Sequence, residues 1–107
     1  MTLPPAALQL IDGKLVGASD AATYPILNPA TGEVIGQAPD GTEADVEAAM
    51  AAARRAFDET TWSTDVALRT RCLRQSHQAL IDNAEPFTEL TTAEVGMPEF
   101  MMGAAGF

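Results

Sequence analysis

Asn28-Pro29-Ala30-Thr31-Gly32-Glu33-Val34-Ile35 reads as a chain reversal between two extended runs. Pro29 fixes its own φ near −65° and pushes Asn28 toward an extended conformation. Gly32 supplies the left-handed position that lets the chain turn back. Tyr24-Pro25-Ile26-Leu27 leads in and Glu33-Val34-Ile35-Gly36-Gln37 leads out, both with strand-like content. A hairpin over residues 23–38 follows.

Upstream of that hairpin, Leu8-Gln9-Leu10-Ile11 and Lys14-Leu15-Val16 flank Asp12-Gly13, a dipeptide favoured in two-residue hairpin turns. Residues 1–7 read as a leader, residues 8–38 as a hairpin pair, and Gly17 to Ala22 as a small-residue loop between them. Downstream, Asp40-Gly41 breaks the chain and Thr42 with Asp45 approximates a capping box. The helix that follows carries Glu43, Asp45 and Glu47 at its start, with Arg54 and Arg55 expected near its end, both favourable to the macrodipole. Val46, Ala49, Met50, Ala53 and Phe57 form its apolar stripe.

Trp62 sits in a short connection. Ser63, Thr64 or Asp65 can cap a second helix reaching about Asp82, with Leu68, Cys72, Leu73, Ala79 and Leu80 expected inside. Asn83 is expected to cap a third helix, which tolerates Pro86 in its first turn and buries Phe87, Leu90 and Ala93. Gly96 and Pro98 end it in the usual order. Helices thus occupy residues 42–98, and residues 99–107 read as the cut-short opening of another.

Composition excludes several function classes. The net charge of −9 and pI near 4.2 oppose nucleic-acid binding, which needs clustered Lys and Arg. No apolar run approaches the ~20 residues of a membrane helix, and Met1-Thr2-Leu3-Pro4-Pro5 lacks the features of a signal peptide. Cys72 is the only cysteine, so no intrachain disulfide can form, which fits a reducing cytoplasm. At 107 residues with six aromatics and many alanines, a free-standing domain would be weakly stabilised.

Residue by residue, catalytic chemistry finds little footing. Cys72 lies on the helix face of Leu68 and reads as a small buried hydrophobe. His77 is the only histidine and has no companion at metal-ligand spacing. Gly103-Ala104-Ala105-Gly106 lacks the spacing of a phosphate loop, and Met97, Met101 and Met102 read as packing residues.

Taken together, the first hairpin, the Asn28-Pro29-Ala30-Thr31-Gly32-Glu33 turn, the helix Ala44-Asp45-Val46-Glu47-Ala48-Ala49 through Ala56-Phe57, Trp62-Ser63, the arginine-rich second helix and Thr91-Thr92-Ala93-Glu94-Val95-Gly96-Met97-Pro98 resemble, in order and spacing, the N-terminal segment of the NAD(P)-dependent aldehyde dehydrogenases. The resemblance covers about residues 8–98. It implies an α/β fold of which residues 1–107 form an incomplete part of the dinucleotide-binding region: two N-terminal β-hairpins followed by two to three α-helices. It departs from the family pattern at Glu94, usually Asp, and at Met97, commonly Lys.

The resemblance further implies that the nucleophilic thiol, the catalytic Glu and the cofactor loop lie downstream of this segment. The complete enzyme would then oxidise an aldehyde to a carboxylic acid with NAD or NADP and assemble as a homo-oligomer. The isolated chain is expected to be inactive, with no catalytic or cofactor-binding residue of its own. Some family members hold a monovalent cation where Ile26, Leu27 and Glu94 stand here, through two backbone carbonyls and a carboxylate. A non-catalytic interaction module and a truncated remnant are the alternative readings.

Overall fold

The computed structural model describes residues 7–102, with a first hairpin of β1 (Gln9–Ile11) and β2 (Lys14–Val16) and a second of β3 (Thr23–Leu27) and β4 (Val34–Pro39). Each hairpin is its own two-stranded antiparallel sheet. In the first, Gln9 lies opposite Val16 and Ile11 opposite Lys14. Asp12 and Gly13 turn it with φ of 53° and 73°, both left-handed as Asp-Gly suggests.

The second hairpin carries the Asn28 reversal. The Asn28 Oδ1 accepts from the Ala30 N–H at 2.9 Å and the Thr31 N–H at 3.3 Å, so the side chain templates the turn. Gly32, at φ 75°, donates its N–H to the Asn28 carbonyl at 2.7 Å. The register pairs Thr23 with Pro39 and Ile26 with Gly36, then shifts between Ile26 and Leu27, so Leu27 meets Val34. A Cβ placed at Gly36 would meet the Ile26 Cδ1 at 3.8 Å, an ordinary contact, so the hairpin does not require glycine there.

Helix α1 (Glu43–Glu59) begins in the full capping box: Thr42 Oγ1 accepts from the Asp45 N–H, and the Asp45 carboxylate accepts from the Thr42 N–H at 2.9 Å. It runs a turn further than the position of its arginines suggests. No basic residue lies in its last turn; Arg54 instead pairs with Asp58 and stacks over Phe57 at 4.8 Å, while Arg55 reaches Asp12 of the first hairpin at 2.9 Å. A single 3-10 turn, Thr61–Ser63, follows and holds Trp62.

Helix α2 (Val66–Asp82) is capped by Asp65, whose carboxylate accepts from the Leu68 N–H at 2.9 Å. Helix α3 (Ala84–Val95) ends at Gly96 with φ 74°, the left-handed cap its sequence announces. Asn83 departs from expectation: it makes no side-chain cap for α3, and its Nδ2 donates back to the Ala79 carbonyl at 2.8 Å, closing α2. With one residue between the two helices, the amide group finds the last carbonyls of α2 before the first amides of α3. A short α4 (Glu99–Met102) opens where a further helix was expected. Residues 1–6 of the leader and residues 103–107, including the Gly103–Gly106 run, lie outside the described residues.

The largest departure concerns burial. Among the described residues the buried apolar set is Ala18 and Ala38, and no large side chain is fully covered. Val46, Met50 and Phe57 are exposed at 55%, 67% and 51%, and Leu73 at 71%. Leu80 and Phe87 are exposed, as are Ala53 and Ala79, while Leu68, Cys72, Leu90 and Ala93 are half-buried. The stripes are where periodicity puts them, and no layer among the described residues covers them. No helix of the described residues is long and apolar enough to cross a membrane.

Candidate functional site

Two places gather polar groups from distant parts of the chain. The first is a clasp at the start of α1. Asp45 is only 8% exposed, and its carboxylate accepts from the backbone N–H of Thr42 and, at 3.1 Å, from that of Ser19 in the Gly17–Ala22 loop. The Ser19 and Thr42 hydroxyls meet at 2.6 Å, and the Gln9 side chain reaches the Gly17 carbonyl at 3.3 Å. The Thr42 backbone donor, then the Ser19 donor, hold the Asp45 carboxyl down to about 2, against a smaller opposing effect of desolvation; the Gln9 and Thr42 side chains add to the lowering. The Thr-x-x-Asp spacing revealed the helix cap. The second client of that carboxylate, 26 residues upstream, left no signal in the sequence.

A depressed carboxyl binds its proton more weakly folded than unfolded, so its stabilising contribution is complete above the ordinary value of 3.8 and is lost as pH falls through about 2. The Ser19 amide resonance should therefore titrate with a midpoint near 2, not near 4, in an NMR pH series. Separately, Thr42→Ala should weaken the cap by about 1 kcal/mol, read as lost helicity by circular dichroism.

The second place is the junction of the second hairpin with α3. Pro29 sits so close to Gly96 that a Cβ at Gly96 would lie 2.9 Å from the Pro29 Cγ. Beside this contact is a cleft of about 500 Å³ lined by Asn28, Ala30, Thr88, Glu89, Thr92 and Ala93 together with Gly96, Met97 and Pro98. The Thr92 Oγ1 is buried there with no hydrogen-bond partner among the described residues. The lining offers hydroxyl, amide and carboxylate oxygens, with no thiol, imidazole or cationic group. Such a set of oxygen donors suits hard cations or polar groups.

The sequence candidates distribute unevenly around this junction. Ile26 and Leu27 form the end of β3 that leads into the turn, half-buried and exposed respectively. Glu94 lies two residues before Gly96 on α3, exposed, and neither it nor the two strand residues line the cleft. Among the described residues no three His, Cys, Asp or Glu side chains gather as a metal site. Cys72 is half-buried and His77 exposed on α2. Five residues apart, they point roughly 140° apart around the helix and do not form a thiol–imidazole pair.

Against known proteins, the sequence profile described as the aldehyde dehydrogenase family matches residues 16–103. The chain belongs to this family. It is 42% identical over 87 residues to a malonate-semialdehyde dehydrogenase of Bacillus pumilus, covering 80% of this chain and 18% of that protein. It is 36% identical over 101 residues to the mitochondrial aldehyde dehydrogenase family 2 member B4 of Arabidopsis thaliana, covering 82% and 19%. The chain thus spans about a fifth of the length of the curated relatives it matches.

Solved aldehyde dehydrogenases share the fold. An NAD-dependent aldehyde dehydrogenase from Sinorhizobium meliloti superposes with a TM-score of 0.87 at 33% identity, over 96% of this chain and 21% of that one. A point mutant of betaine aldehyde dehydrogenase from Staphylococcus aureus, crystallised with NAD+, superposes at 0.86 and 33% identity, over 92% and 20%. The arrangement of two hairpins followed by helices is therefore a part of the aldehyde dehydrogenase α/β architecture, as the resemblance implied.

Proposed function

We propose that this chain is the N-terminal segment of an NAD(P)-dependent aldehyde dehydrogenase, a supporting element that carries neither nucleophile nor dinucleotide site. The observation that carries this reading is the superposition of 92–96% of the chain on about a fifth of complete dehydrogenases. In the complete enzyme the two hairpins and three longer helices form one end of a domain whose other parts bind the cofactor and attack the aldehyde. That enzyme acts in the cytoplasm as a homo-oligomer and uses NAD or NADP. Relatives named for malonate semialdehyde and betaine aldehyde point to aldehydes as a class and favour no single one.

Within this reading, the Ile26 and Leu27 carbonyls and the Glu94 carboxylate hold a monovalent cation in the complete enzyme. Supporting this is the Pro29–Gly96 contact, which brings the end of β3 and the last turn of α3 to one junction. The three residues offer oxygen donors alone, as a hard cation requires. The cation would tie hairpin to helix and takes no part in the chemistry.

A chimera tests the function. Residues 8–98 replace the matching segment of the Bacillus pumilus relative, and NADH formation is followed with that enzyme's own substrate. Turnover by the chimera and none by the 107-residue chain is the expected result. NADH formed by the chain alone, beyond a tag-only control, would overturn the reading, as would a folded chimera without turnover. In the same chimera Cys72→Ala should cost on the order of 1 kcal/mol of stability and leave kcat largely intact. A collapse of kcat with unchanged folding would place Cys72 in the chemistry instead.

A further inference from the structure

We draw no further inference here: the strongest candidate, the exposed apolar groove of Met50, Ala53, Arg54 and Phe57 on the outer face of α1, belongs to the segment reading already given, and nothing in the structure shows any other occupant for it.

Discussion

Heated alone in dilute buffer, the 107-residue chain is expected to lose structure gradually, without a cooperative step, and to form larger species as salt is added. The cause lies in area. A compact protein of 11.2 kDa exposes about 5,700 Å², whereas this chain exposes 7995 Å². Its radius of gyration is 16.9 Å, against about 13 Å for a compact chain of this length. Cooperativity arises when side chains share one core. Among the described residues the buried apolar ones are two alanines, and Leu10, Met50, Leu73 and Phe100 stand more than half exposed.

Both hairpins also keep their outer strand edges unpaired with each other, an invitation to other chains. The net charge of −9 resists that association at low ionic strength. Raising salt toward 0.1 M shortens the screening length to about 10 Å and weakens the resistance. Light scattering over a salt series should show growth in particle mass with ionic strength. A sharp monomer at every salt concentration, with a cooperative melt above about 60 °C, would mark a self-sufficient domain.

The second large effect is expected at Gly96. Alanine there must adopt φ 74°, a left-handed conformation costing roughly 1–2 kcal/mol. Its methyl group must also displace the Pro29 ring, 2.9 Å away, and such overpacking costs typically 1–3 kcal/mol. The two costs separate in a double mutant. Pro29→Ala removes the ring and should recover the overpacking part of Gly96→Ala while leaving the backbone part. Urea midpoints of the single and double variants, measured in the chimera, give the coupling. Strictly additive losses would mean that the turn and the helix end do not press on each other.

Where the sequence was legible, the controlling interaction was short-ranged. Asp12-Gly13, Gly32 and Gly96 demand left-handed backbone, and all three turns formed where those residues stand. Thr42 and Asp45 sit three residues apart and cap their helix within that span. Asn83 was harder to read because both neighbouring helix ends compete for the same side chain, and the choice is made by geometry. The exposure of Met50, Phe57 and Leu73 was not legible at all. Periodicity identifies the face of a helix that seeks cover, but it does not say whether the described residues supply that cover. At the candidate site, the Asn-Pro turn and the Gly-x-Pro helix end were each visible locally. Their contact across 67 positions was not, nor was the Thr92 hydroxyl enclosed beside it.

That contact also sets an order of events at the ribosome. The hairpins and helices close over neighbouring residues and can form as soon as each has emerged. The Asn28 turn, however, has to wait for Gly96 before it gains its neighbour on α3. At 5–20 residues per second the 67-residue interval lasts roughly 3–13 s, long on the scale of hairpin formation. During that interval the nascent hairpin stands open on the side that α3 will later occupy. Synthesis speed between codons 29 and 96 therefore bears on how often this junction is assembled correctly.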